Sequence, residues 1–163
     1  MKYSQFDLNS IYELSTQRPI LHYAVRHATP EIIKYILSEV EDPNPKDNLF
    51  YTPFHTALAI GEVEMIGAFL PRVGKDHSLW NCCNEIGNPL IFAIEGGNLD
   101  VIQAIEPFVD FEPKHCCLSF PLHRAAELGK RDIYDYLLSK VSDNLSLNEN
   151  GETAQDLIKS FAE

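Results

Sequence analysis

Apolar residues in this chain come in short runs at helical spacing, and the runs come in pairs. Phe54, Ala57 and Leu58 make one apolar stripe, followed after Gly61 by Met65, Ile66, Phe69 and Leu70. Thr52 can accept a hydrogen bond from a free backbone N–H, and Pro53 suits a first helical position, where its missing N–H costs nothing. Gly61 can take the left-handed conformation that ends a helix. The pattern predicts a two-turn helix over 53–60, a turn, and a second helix that contains Gly67 as a weak point and that Pro71 stops. Neither is long enough to stand alone in water. Each must bury its stripe against a neighbour.

The pair recurs along the chain. Leu21-His22-Tyr23-Ala24, Pro89-Leu90-Ile91-Phe92-Ala93 and Pro121-Leu122-His123-Arg124-Ala125 are variants of Pro53-Phe54-His55-Thr56-Ala57. The anchor positions His22, His55, Ile91 and His123 are 33, 36 and 32 residues apart, and Gly151-Glu152-Thr153-Ala154 begins a degenerate fifth copy. Second stripes follow at Ile32, Ile33, Ile36 and Leu37, at Val101, Ile102 and Ile105, and at Ile133, Leu137 and Leu138. The Thr-Pro-Phe-His-Thr-Ala motif and this period resemble the ankyrin-repeat family over roughly residues 18–163. The resemblance implies an all-α solenoid of stacked helix-turn-helix pairs with projecting loops.

On that reading 1–163 is a single domain. Residues 1–17, with Phe6, Leu8, Ile11, Tyr12 and Leu14 at mixed helical spacing, are expected to form an N-terminal cap helix. Repeats fall at about 18–47, 48–80, 81–113 and 114–147, and 148–163 forms a C-terminal half-repeat cap or the edge of a longer array. The third copy departs most: Asn88 and Ile91 replace Thr and His, and Glu106-Pro107 interrupts its second helix. The connection through Gly74 and His77 is long, which accounts for the 36-residue step.

Formal net charge is −11, from 24 acids and 13 Lys plus Arg. That argues against nucleic acid, whose phosphates need clustered cations. No basic residue lies between Lys75 and Lys114, where Asp76, Glu85, Glu95, Asp100, Glu106, Asp110 and Glu112 fall. This is either a solvated acidic surface or a negative patch that steers a basic partner. No run approaches the roughly 18 apolar residues of a membrane span, and no secretory leader is visible. Four cysteines in two adjacent pairs, Cys82-Cys83 and Cys116-Cys117, suit a reducing, intracellular and cytoplasmic setting, with the chain a monomer.

The histidines invite a metal or catalytic reading, yet His22, His55 and His123 fill one slot of successive repeats. Groups one repeat apart stand roughly 10 Å from each other, by analogy with packed helices, whereas zinc ligation needs about 2 Å to a shared ion. The family resemblance implies instead that this imidazole bonds backbone or Thr near the turn and ties repeats together. The cysteine pairs with His115 could meet on successive loops, but adjacent residues point apart and chelate poorly. Metal binding or redox control through them is the weaker alternative to small apolar filler. No phosphate loop, nucleophile elbow or metalloprotease helix appears, so no enzyme, cofactor or catalytic residue is expected.

In ankyrin proteins partners bind inner-helix residues that face away from the stack, and loop tips. Carried over, this implies Tyr23, Thr56, Phe92 and Arg124, one after each His slot, and Arg26, Glu95 and Glu127 three further on. Phe50, Tyr51, Trp80 and His115 are loop candidates, and Trp80, the sole Trp, is weighed as exposed anchor or as packing plug. The expected function is a non-enzymatic protein-binding module. The rival is the targeting part of a larger enzyme, or of a bacterial effector acting in host cytoplasm.

Overall fold

The computed structural model describes residues 12–13, 18–75, 80, 88–111, 121–142, 144–148 and 150–159. Within them α1 (Ile20–His27), α3 (Pro53–Ile60), α5 (Pro89–Gly96), α7 (Pro121–Glu127) and α9 (Ala154–Lys159) each pack on the next, as an inner row. A second row, α2 (Pro30–Glu39), α4 (Val63–Val73) and α6 (Leu99–Ile105), packs behind, and α8 (Arg131–Leu138) backs α7. This is the all-α solenoid of helix-turn-helix pairs that the family resemblance implies. Its core runs the length of the stack and draws on each stripe named above: Leu21, Phe54, Leu58, Leu90, Ile94 and Ala125 from the inner row, Ile33, Leu37, Ile66, Phe69, Ile102 and Ile133 from the outer.

The caps follow the residues. Thr52 Oγ1 accepts from His55 N–H, while Nδ1 of His55 accepts from the Thr52 N–H at 3.2 Å, a reciprocal capping box. Gly61 and Gly97 close α3 and α5 at φ 78° and 73°, in the left-handed region. Ala28, standing where the other copies have Gly, closes α1 in extended conformation instead. Asn98 serves two helices. Its Oδ1 accepts from Asp100 N–H at the start of α6, and its Nδ2 donates to the Gly61 carbonyl at 2.8 Å.

Two expectations change and a third holds. Tyr12–Glu13, read as part of a cap helix, is extended and pairs antiparallel with Arg18–Pro19; the other residues of 1–17 lie outside the described set. Pro19 forces Arg18 out of the helical region, so the chain enters α1 extended and offers an edge to pair with. Pro71 does not stop its helix: α4 continues to Val73. Pro71 lacks the N–H that would reach the Gly67 carbonyl on an exposed side, where the loss is cheap. Glu106-Pro107 does interrupt the third outer helix, as a 3-10 turn over Glu106–Phe108. Arg72, unremarkable in the sequence, reaches back one repeat and donates to the carbonyls of Leu37, Val40 and Glu41, satisfying the open end of α2.

The shared histidine slot ties repeats together. His22 Nε2 donates to the Tyr51 carbonyl at 2.9 Å and His123 Nε2 to the Glu152 carbonyl at 3.1 Å, each 29 residues on. For His55 that offset falls at residue 84, outside the described residues. His55 is 2% exposed. Burial, then the electrostatic influence of Lys46 and of the neighbouring His22 ring, lower its pKa from 6.5 to about 4. Between those values the unfolded chain takes up a proton that the folded chain refuses. The stabilisation is therefore complete above pH 6.5 and is lost as pH falls through about 4. Urea titrations should show wild type losing about 2–3 kcal/mol more than His55→Gln between pH 7 and 4.5. Parallel pH profiles for the two proteins would refute the assignment.

Candidate protein-interaction surface

Because α1, α3, α5 and α7 stand side by side, the position after each His slot lines up across the inner row. Tyr23 is 58% exposed, with its ring 4.4 Å from His27. Arg26 is exposed beside it, and Thr56 is half-buried, next to exposed Ala59 and Ile60. Phe92 is half-buried, its ring 4.8 Å from His55 and edge-on to Tyr51 at 5.9 Å. Part of its surface therefore packs locally and part remains available.

The far half of the strip is ionic. Arg124 donates to Glu95 at 2.6 Å across the repeat boundary and to Glu127 at 3.3 Å along its own helix. Glu95 foremost, with Glu127 adding, raises the Arg124 pKa above its ordinary value. Such solvated pairs add only about 0–1 kcal/mol to stability; what they fix is orientation. Tyr23, Arg26, Thr56 and Phe92 thus form an end that mixes two aromatic rings with a cation and a hydroxyl, and Glu95, Arg124 and Glu127 an end carrying one net negative charge.

Trp80 does not belong to this surface. It is 2% exposed, stacked on Phe108 at 5.3 Å and edge-on to Phe54 at 5.4 Å, so it is the plug and not the exposed anchor. The acidic stretch also reads differently once folded, because cations of the following repeat come to meet it. Lys140 bonds Glu106 at 2.5 Å, Tyr136 donates to the same carboxylate, and Arg124 holds Glu95. The two bonds to Glu106, Lys140 first, lower its pKa. Of the rest, Asp76, Glu85 and Glu112 lie outside the described residues.

The loop before α3 projects as a finger, and sequence reasoning undervalued it. Asp47 N–H donates to the Tyr51 carbonyl at 2.8 Å and Phe50 N–H to the Asp47 carbonyl at 2.9 Å, while Asp47 Oδ1 accepts from Leu49 and Tyr51. The loop before α9 repeats this bond for bond. Asn148 N–H donates to Glu152 O at 2.9 Å, Gly151 N–H to Asn148 O at 3.0 Å, and Asn148 Oδ1 accepts from Asn150 and Glu152. Phe50 and Gly151 correspond, at φ 64° and 77°. A non-glycine residue held there costs on the order of 1–3 kcal/mol. The offset from the cap threonine, 52 − 50 = 153 − 151 = 2, was the available signal.

Cys82, Cys83, Cys116, Cys117 and His115 lie outside the described residues. Among the described residues no group of three or more His, Cys, Asp or Glu could hold a metal ion. No helix among them is long and apolar enough to cross a membrane. A groove of about 220 Å³ lies at the other end of the stack, lined by Arg131, Tyr134, Asp135, Gln155 and Lys159 among others. It holds none of the residues singled out in the sequence as partner-binding.

A family model for ankyrin repeats, in three copies, matches residues 21–115. The chain belongs to the ankyrin-repeat family. It is also 30% identical over 121 residues to a protein of Saccharomyces cerevisiae described as probable 26S proteasome regulatory subunit p28, covering 72% of this chain and 53% of that protein. The chain thus spans about half the length of that relative. Membership makes the strip on the inner row a surface of a protein-interaction fold, and leaves what it binds to its own side chains.

Proposed function

We propose that this chain is a non-enzymatic binding module that takes a partner protein on the strip formed by Tyr23, Arg26, Thr56, Phe92, Glu95, Arg124 and Glu127. The observation that carries the reading is that strip's composition. Its exposed side chains are not what closes the stack, yet they include an aromatic end of the kind enriched in binding hot spots and an ion cluster of fixed geometry. The acidic end, on a chain of net charge −11, favours a basic partner. The cysteine content keeps the reading inside a reducing compartment.

Purified 26S proteasome is the first partner to try, given the name of the yeast relative, followed by proteins captured on the immobilised chain and then purified. Tyr23→Ala combined with Glu127→Lys should weaken calorimetric affinity by at least about tenfold. Glu64→Lys, on the outer row, should change it by less than about twofold. Affinity should also fall as salt is raised, because the attraction to a basic partner is screened. If the double variant binds as tightly as wild type while remaining folded, the surface is misplaced.

A further inference from the structure

The groove between α8 and α9, about 220 Å³, is lined by residues that break the pattern of the other repeats. Tyr134 stands 11 residues after its His slot, where the first three repeats have Ile33, Ile66 and Ile102, each fully buried. Arg131 stands where those repeats have Pro30, Val63 and Leu99. Counted from the cap threonine, Gln155 and Lys159 of α9 take the places of Phe54 and Leu58 in α3, again fully buried. The end of a stack needs a polar face. That accounts for polar residues here but not for their kind. All four carry hydrogen-bond donors and two are cations, on a chain with 24 acids against 13 Lys plus Arg.

Tyr134 decides the reading. Only 5% of it is exposed, it lines the groove, and its hydroxyl bonds nothing among the described residues, although buried hydroxyls are ordinarily paired. Burial first, then the Asp135 carboxylate, raises its pKa, so it remains a donor at neutral pH. Arg131 engages Asp135 through Nε alone, at 3.4 Å, and its two terminal nitrogens have no partner among the described residues. The Lys159 ammonium makes no hydrogen bond among them either. The one acid of α9, Asp156, is held by Thr153, whose N–H and hydroxyl donate to it at 3.1 and 2.6 Å. We propose that the groove binds a phosphomonoester, held by Arg131 of α8 and Lys159 of α9, with the Tyr134 hydroxyl donating to it. The class follows from the donors. A phosphoryl group offers three terminal oxygens and nearly two negative charges, enough for a guanidinium fork, an ammonium and a hydroxyl together. A carboxylate offers two oxygens and one charge, which Asp135 already presents to Arg131. A phosphorylated side chain of a protein and a free phosphate ester present the same group. The site lies apart from the strip on the inner row and does not depend on it.

The test titrates the isotope-labelled chain with O-phosphoserine, with acetate, and with a short alanine peptide centred on phosphoserine, following amide shifts by NMR. O-phosphoserine should shift amides of α8 and α9 to saturation, with a Kd at or below about 1 mM. Acetate should bind at least about tenfold more weakly, having fewer oxygens and less charge. Arg131→Gln combined with Lys159→Gln, both at exposed positions, should weaken O-phosphoserine at least about tenfold. Tyr134→Phe keeps the packed ring, so its melting temperature should stay within about 3 °C of wild type while binding falls about three- to tenfold. Tyr23→Ala/Glu127→Lys should leave the titration unchanged. Absence of saturation, shifts centred away from α8 and α9, or equal binding by wild type and both groove variants overturns the proposal. Acetate binding as tightly as O-phosphoserine would also overturn it, by making the groove an unselective polar end of the stack. The source is read from the peptide. Binding at least about tenfold tighter than O-phosphoserine upholds the site with a phosphorylated protein as its ligand; equal binding upholds it with a free phosphate ester.

Discussion

Trp80→Ala will lower stability by about 3–5 kcal/mol, the range for deleting a fully buried large aromatic side chain. The indole is 2% exposed and bridges two repeats, stacked on Phe108 of the third and edge-on to Phe54 of the second, which in turn meets Phe69. Each such ring pair adds about 0.5–1.5 kcal/mol beyond its buried area. The geometry also predicts the shape of the transition. A solenoid is held by contacts between neighbours only, so removing the plug at one junction should uncouple the two sides. Urea titration by far-ultraviolet circular dichroism should show a lower midpoint and a shallower, two-step curve. In the wild-type chain the sole Trp should emit at short wavelength until that junction opens. A change below about 1 kcal/mol would mean that Trp80 is not held as described.

Gly96→Ala and Gly67→Ala should shift stability in opposite directions. A Cβ at Gly96 would lie 2.4 Å from the Leu58 carbonyl oxygen and 3.1 Å from that of Ala59, both backbone atoms of α3 that no rotamer change can move. Among the described residues α3 and α5 form the most extensively packed pair of helices, so they would have to separate, at roughly 2–3 kcal/mol. At Gly67, on the exposed side of α4, a Cβ meets nothing within 4 Å. There alanine removes only the entropy penalty of glycine and should stabilise by about 0.5–1 kcal/mol. Paired urea titrations give both signs. Equal effects at the two sites would contradict the described crossing of α3 and α5.

These two glycines mark how far the chain can be read unfolded. In sequence Gly67 is a weak point within a helix, and Gly96 is unremarkable beside Gly97. Helical periodicity says which residues share a face; it does not say which backbone passes close by. Trp80 shows the same limit for a side chain. Anchor and plug are equal readings until Phe54 and Phe108, far apart in sequence, are seen to enclose it. Arg72 cannot be read at all, since its acceptors are backbone carbonyls of the previous repeat and carry no residue signature.

The strip proposed for binding was half legible. Counting from the His slots placed Tyr23, Arg26, Phe92, Glu95, Arg124 and Glu127 on the inner row, because a repeat carries each position to its equivalent. The pairing of Glu95 and Glu127 through Arg124 was not visible, since it crosses a repeat boundary.

What the sequence determined by itself was the family, the helix pairs, and the histidine, proline and glycine fasteners. Those depend on short-range rules, on capping, proline placement and 3.6-residue periodicity, that one repeat states and the next restates. Only the tertiary structure decided that Trp80 is buried, that the acids at 95 and 106 meet cations from the fourth repeat, and that Phe50 stands in a glycine's conformation. Each of those depends on groups brought together by stacking, at separations that local pattern does not encode.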